Sequence, residues 1–240
     1  MKNIKHMFLK EQFEPSLIGL FVNPFFIARK GLLESIKKLG KEIVGETLDV
    51  GCGTKPYEKY FSCSKYIGLE IETTINRENK NVDVFYDGGK FPFEDKKYDS
   101  IVTNQVLEHV FTPNEFLSEI NRVLKKDGKL LLTVPFVWDE HEQPYDYARY
   151  SSFGLAHLLN QHGFEIIESK KSINDFRIFA QLLNAYIYKT TQKNKVIRQL
   201  FTLFVMSIIT IIGILLSQIL PKNNDLYLDN IILAKKITDV

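Results

Sequence analysis

Cysteine is scarce in this chain: two, Cys52 and Cys63, among 240 residues. A disulfide framework is therefore excluded, and a reducing compartment is expected. Charge imbalance is also missing. Thirty-one Lys and Arg face 29 Asp and Glu, for a net charge of +2, and the basic residues are dispersed. No basic field is available to gather nucleic acid, and none is expected as a partner. Residues Met1 to Glu14 hold lysines but no apolar core of signal-peptide length, so the reading is cytoplasmic. Internal repeats and low-complexity tracts are absent. A last absence concerns glycine. After Gly51 and Gly53, the third glycine of a dinucleotide fingerprint would fall at position 56, which is Pro56. Without it the loop has no pyrophosphate turn, and a nicotinamide cofactor is disfavoured.

What is present starts from the same loop. Thr47 to Val50 reads as a buried strand running into Gly51-Cys52-Gly53. Ligands of open α/β sheets sit beyond the carboxyl ends of strands, and glycine lets the backbone approach them closely. A second strand, Tyr66 to Leu69, ends in Glu70. An acid at that tip accepts hydrogen bonds from a ribose diol and repels a 2′-phosphate. A ligand with a free ribose and no phosphate fits both features, and S-adenosylmethionine has that composition. Cys52, between two loop glycines and without a histidine in a matching motif, reads as a small filler.

Further blocks follow in order: Asp87-Gly88-Gly89 before Phe91-Pro92-Phe93; Tyr98 to Val102; Leu107-Glu108-His109-Val110; and Arg122 to Leu130. With the two strand ends, these make residues 47 to 170 resemble a Rossmann-like (class I) methyltransferase domain that uses S-adenosylmethionine. The stretch Val134 to Tyr150 resembles a subgroup associated with bacterial surface-polysaccharide synthesis. The family usually has Asp where this chain has Glu70, whose longer arm still reaches a diol. The resemblance implies cofactor roles for Asp49, Gly51, Gly53, Glu70, Asp87, Gly88, Asn104 and Gln105. Asp49 would meet the ammonium, Glu70 the ribose and Asp87 the adenine amino group, with Asp83 as a competitor. Asn104 and Gln105 would lie under the sulfonium.

The expected fold is α/β, a mostly parallel seven-stranded sheet with helices on both faces. Strands are expected at 46–50, 66–69, 82–86, 98–103, 129–134, 164–169 and 227–236. A helix over 25–39 follows Asn23-Pro24. Another carries a capping box, with Thr112 as N-cap, Pro113 at the first position and Glu115 closing it. Its stripe is Phe116, Leu117, Ile120, Val123 and Leu124, and Asp127-Gly128 is its expected end. The organisation is then an arm and cap helix (1–45), the cofactor-binding core (46–170), an apolar helical insertion (171–225) and a final strand (226–240).

Leu200 to Leu220 has no charged residue, which is long enough to span a bilayer. The tail after it reads as a strand that rejoins the sheet, and one crossing would strand it on the wrong side. The preferred reading is a helical pair, 176–190 and 196–220, packed on the domain, on a second subunit of a homodimer, or peripherally at the inner face of a membrane. Hydropathy keeps the spanning alternative open.

For catalysis, methyl transfer from a sulfonium needs alignment, and a hydroxyl acceptor benefits from a base. His141 is the candidate catalytic residue, with Asp139, Glu140, Glu142 and Asp146 nearby. His109 reads equally as an orienter or an ordinary helix residue. A metal held by Asp139, Glu140, His141 and Glu142 is disfavoured, because consecutive side chains alternate in direction, and no metal is expected. Trp138, Tyr145, Tyr147 and Tyr150 suit either a sugar ring or interior packing. The expected activity is O-methylation of a sugar or glycan precursor. A hydrophobic, quinone-like acceptor and a non-catalytic scaffold are the alternatives.

Overall fold

A computed structural model of the chain describes residues 9–74, 76–78 and 81–240. The first part of the expected N-terminal arm, residues 1–8, lies outside the described residues. The seven strands are β1 (Val44–Val50), β2 (Ser62–Ile71), β3 (Val84–Tyr86), β4 (Tyr98–Asn104), β5 (Leu124–Pro135), β6 (Phe164–Lys171) and β7 (Asp229–Lys236). They form one sheet in the order β3-β2-β1-β4-β5-β7-β6. The longer helices are α1 (Phe26–Leu39), α2 (Pro113–Val123), α3 (Ser152–Gln161) and α4 (Arg177–Thr190). The last, α5, spans Lys195–Ile219 and includes a π-helical turn over Phe201–Met206.

The chain falls into two compact units. One takes the described residues up to Glu34, with Val137–Asp139 and Lys171–Asp229; the other takes Ser35–Phe136, Glu140–Lys170 and Asn230–Val240.

The second unit holds the sheet. Its strands β5 and β7 carry continuous buried runs, as expected where both faces are covered. Leu48, Val50, Leu69, Ile101, Leu130 and Leu132 are all buried in one core with Ile120, Leu155 and Ile232. Each such side chain contributes ~1.5–3 kcal/mol on burial. β1 pairs in parallel with β2 (Asp49 opposite Gly68) and with β4 (Asp49 opposite Val102), and β4 pairs in parallel with β5 (Asn104 opposite Thr133). The carboxyl ends of β1, β2, β4 and β5 therefore share an edge. The chain steps outward from β1 to β2 and β3 on one side, and from β4 to β5 on the other. The gap between β1 and β4 is the topological switch point where such sheets bind ligands. β7 lies between β5 and β6 and runs against β6: Ile237 N–H donates to Gly163 O at 2.8 Å, while Ser172 N–H donates to Asp229 O at 2.9 Å at the opposite end.

Two local expectations are corrected. Thr112 does precede Pro113 at the start of α2, but its side chain makes no capping bond, so the capping box does not form. Its φ of −114° and ψ of 73° lie outside the extended geometry an N-cap side chain needs. The helix also ends earlier. Leu124 is already in β5, where it faces Tyr98, and Asp127, at φ +61°, turns the backbone inside that strand.

The first unit holds α4 and α5. Their packing is inverted relative to a soluble helix pair. Thr202, Ser207, Thr210 and Gly213 are the buried positions of α5, together with Met206. Asn184 of α4 donates to Thr210 Oγ1 at 2.9 Å and to Met206 O at 3.2 Å. A side-chain carbon at Gly213 would stand 2.5 Å from the Ala180 side chain. Phe204, Ile208, Ile212, Leu215 and Ile219 are exposed.

Candidate active site

Loops from several strands build the site in the second unit. After β1 the backbone turns through Gly51 at φ +73° and Gly53 at φ +48°. A side-chain carbon at Gly51 would overlap Val106, just past β4, so glycine is required where these two loops close together. At Gly53 nothing stands within 4 Å of that position. The loop thus has a firm back and open space in front of its backbone, a cradle that a phosphate-free ligand can fill.

Glu70 reaches back to this loop from the tip of β2. Its Oε2 accepts the Gly53 N–H at 2.9 Å and its Oε1 accepts the Ile71 N–H at 3.1 Å. Burial raises its carboxyl pKa against the pull of those two donors. Each oxygen keeps a second lone pair for a ligand hydroxyl. Asp49 is 4% exposed and accepts from the Tyr66 hydroxyl at 2.7 Å. Burial pushes its carboxyl up to about 7. Cys52 is buried, which drives its thiol pKa upward and suits a filler better than a nucleophile.

Asp83, the competitor of Asp87, is committed elsewhere: it accepts the Gly68 N–H at 2.6 Å and pairs with Lys55. Asp87 is exposed and accepts the Gly89 N–H at 2.9 Å, while Gly88 takes φ +93°. At the end of β4, Gln105 adopts φ +57°, a region L-residues seldom enter. Its N–H donates to Thr133 O at 2.9 Å and its Nε2 to Thr133 Oγ1 at 3.3 Å. Asn104 Oδ1 accepts from that same hydroxyl at 3.4 Å.

Beyond Gln105 lies a group the sequence left divided. Leu107–His109 is a single 3-10 turn, separate from α2. Glu108 is wholly buried, and its carbonyl accepts the Tyr147 and Ala148 N–H groups at 2.8 and 3.2 Å. Those bonds stitch the loop after β5 onto the turn. The His109 and His141 rings then meet edge to face with centroids 4.7 Å apart. His109 Nδ1 lies 2.8 Å from Tyr145 O. His141 Nδ1 lies 3.3 Å from Asp146 Oδ2, which also accepts the His141 N–H at 2.9 Å. Arg149 holds Asp146 with bonds of 2.6 and 2.7 Å and keeps its carboxyl well below the usual carboxylate range.

Of the four acids expected around His141, Asp146 is the one that orients it. Asp139 pairs with Lys189 at 2.9 Å, and Glu140 accepts from Gln143 at 3.3 Å. The aromatic residues also divide. Trp138 packs edge-on against Phe25 with centroids 5.9 Å apart, and Tyr150 lies against the core. Tyr145 and Tyr147 stay exposed, and Tyr147 meets the exposed Phe111 ring at 5.2 Å. Sequence reasoning missed Tyr66 as the partner of Asp49. Only strand register reveals it, since Tyr66 stands opposite Thr47 on β1.

Residues 48–132 match the family model described as a methyltransferase domain. An uncharacterized protein of Methanocaldococcus jannaschii is 26% identical over 141 residues, covering 54% of this chain and 69% of its own length. An uncharacterized methyltransferase of Schizosaccharomyces pombe is 32% identical over 117 residues, covering 40% of each chain. The match thus spans well under half of that yeast relative. Among solved structures, the [4+2]-cyclase SpnF superposes with a TM-score of 0.57 at 19% identity, covering 87% of this chain and 82% of that one. Phosphoethanolamine N-methyltransferase 2 of Haemonchus contortus, in complex with S-adenosyl-L-methionine, gives 0.55 at 18% identity over 95% of this chain and 59% of that one. These likenesses carry the fold alone, and folds host many chemistries. Residues 48–132 are thus similar to a methyltransferase domain, the cradle lies at the switch point of that same sheet, and the cofactor this likeness supports is S-adenosylmethionine.

Proposed function

We propose that the protein transfers a methyl group to a hydroxyl oxygen of a sugar or glycan precursor used in envelope polysaccharide synthesis. The observation that carries this reading is the histidine pair at the strand ends, with His141 oriented by Asp146 and Asp146 locked by Arg149. The cofactor supplies an activated methyl on a cationic sulfur. What the protein adds is position and a place for the acceptor's proton. Gly51 and Gly53 give the methionine portion room, Asp49 faces its ammonium, and Glu70 takes the ribose diol. Asp87 and Gly88 flank the adenine, and Asn104 and Gln105 lie under the sulfonium. His141 takes the hydroxyl proton.

The exposed Phe111–Tyr147 pair supports a carbohydrate acceptor. It offers aromatic faces to apolar sugar C–H groups beside polar side chains. The inverted helix pair supports a lipid-linked one. Small and polar residues join α4 to α5 while large apolar residues point outward, as in helices that pack within lipid. Since β6 and β7 belong to one sheet, a single crossing by α5 is disfavoured. Segment 171–225 then acts as an insertion lying in the interface at the inner face of the membrane.

The test incubates the folded protein with methyl-labelled S-adenosylmethionine and cell-envelope extract. Label in a saccharide fraction, as an alkali-stable methyl ether, is expected. Label in a quinone-like lipid instead would replace the acceptor class. No transfer by protein that binds the cofactor would leave a non-catalytic scaffold and overturn the reading.

A further inference from the structure

We propose that Glu108, His109 and His141 form a divalent-metal site that presents a cation to the acceptor hydroxyl. The inference rests on the methyl-transfer reading and changes the role of His141 in it, from proton acceptor to ligand. The sequence disfavoured a metal because it weighed the four consecutive residues Asp139 to Glu142, which cannot converge. The fold assembles a different set from two loops.

Three observations carry the site. First, one ligating atom from each residue lies within 4.8 Å of those of the other two, and His109 Nε2 is 3.9 Å from Glu108 Oε1. Metal–ligand bonds of about 2.0–2.2 Å put neighbouring ligand atoms roughly 3–3.5 Å apart, so binding needs a contraction of about 1 Å. That is within reach of side chains on two loops. Second, both rings are held at Nδ1 by groups that can only accept. Tyr145 O lies 2.8 Å from His109 Nδ1. The Asp146 carboxylate lies 3.3 Å from His141 Nδ1 and is itself clamped by Arg149. A neutral ring that places its proton on Nδ1 satisfies these acceptors and leaves Nε2 with the lone pair a metal requires. A carboxylate or carbonyl behind a histidine is the usual support of a metal ligand. Third, Glu108 is wholly buried with its carboxylate beside the His109 ring, so a cation held there would sit against an anion shielded from water.

The donor set selects the metal. Two nitrogens and one carboxylate suit Zn²⁺, Mn²⁺ or Fe²⁺ better than Mg²⁺ or Ca²⁺, which favour all-oxygen shells. Three protein ligands leave open positions for a substrate oxygen, and His141 is the most exposed of the three, at 27% of its side chain. Ligation there acidifies a hydroxyl as it acidifies water. The hydroxyl then loses its proton to solvent. An oxygen lone pair forms the O–CH3 bond, the S–CH3 bond breaks with its electron pair left on sulfur, and the sulfonium becomes a neutral thioether.

The test uses the full chain, stripped with chelator and dialysed, and titrates Mn²⁺ and Zn²⁺ separately by calorimetry, with bound metal counted by elemental analysis. About one equivalent per chain is expected. Glu108→Gln and His141→Gln should each lose that binding, Asp146→Asn should weaken it about 10–100-fold, and Glu140→Gln should leave it unchanged. Circular dichroism checks each fold. Because Glu108 is buried and its variant is the one at risk, the partly exposed His141→Gln decides the matter if Glu108→Gln misfolds. Absence of binding, or weak binding of several equivalents that both variants retain, overturns the site. The stripped chain should still bind S-adenosylmethionine. Methyl transfer that persists after stripping ends the metal inference but spares the methyltransferase reading; stoichiometric metal without any transfer does the reverse.

Discussion

Gly53 donates its backbone N–H to Glu70 Oε2 at 2.9 Å, joining the loop after β1 to the tip of β2 through one side chain. An aspartate at position 70 would be one carbon shorter and would lose this bond, while still presenting a carboxylate to solvent. The relationship explains why glutamate serves at this tip. It reaches backward to brace the loop and outward to a ligand. Glu70→Ala removes both contacts. A charge-assisted hydrogen bond contributes ~1.5–3 kcal/mol, so S-adenosylmethionine should bind about 10–100-fold more weakly, with Glu70→Asp between the two. Calorimetric titration of each variant checks this.

The two loop glycines should fail in different ways. Gly51→Ala meets Val106 and a positive φ together, so it should lower stability by about 1–3 kcal/mol. Gly53→Ala meets a positive φ but open space. It should cost stability about 1 kcal/mol and mainly obstruct the ligand. Chemical denaturation and cofactor titration on the same two proteins separate the effects.

Asp49 predicts a pH dependence. Burial raises its carboxyl from the ordinary aspartate range to about 7 in the fold. The folded state therefore holds the proton more tightly than the unfolded state. The contribution of Asp49 to stability is full below about pH 4, is lost as pH rises through about 7, and amounts to about 4 kcal/mol. A cofactor ammonium beside Asp49 would favour the charged form and release this proton. Affinity for S-adenosylmethionine should accordingly rise between about pH 6 and 8. Titration in buffers of different ionisation enthalpy should detect the proton, and Asp49→Asn should flatten the profile.

The outward face of α5 predicts lipid binding. Phe204, Ile208 and Ile212 are each more than 45% exposed. Changing all three to Ser should abolish co-flotation with anionic liposomes and leave cofactor affinity unchanged. Wild-type protein that stays in the aqueous fraction would remove the membrane part of the proposal.

The sequence revealed features with local causes. The strand-to-glycine turn at Val50–Gly53, the acid at Glu70 and the buried stripe of α2 can all be read from periodicity and residue type. Register and loop closure are not local. Asp146 could not be picked from four acids near His141, because the choice depends on where Arg149 lies. Glu108 and His109 looked like the start of a helix, but the bonds that Tyr147 and Ala148 make to Glu108 lie about 40 residues away. Asp127-Gly128 suggested a helix end, yet both belong to β5. Lys236 reads as a surface charge. It is in fact 1% exposed and donates to Asn121 O and Leu124 O at 2.7 and 2.9 Å, tying β7 to the end of α2. In α5, Thr202, Ser207 and Thr210 are buried, and Thr210 accepts from Asn184 of α4.

A crystal structure of the full chain with S-adenosylhomocysteine tests the central claim most directly. The account predicts the ribose diol on the Glu70 carboxylate, the amino-acid tail against Gly51–Gly53, and the sulfur at the gap between β1 and β4. A ligand bound elsewhere, or a ribose held by other groups with Glu70 turned away, would contradict it.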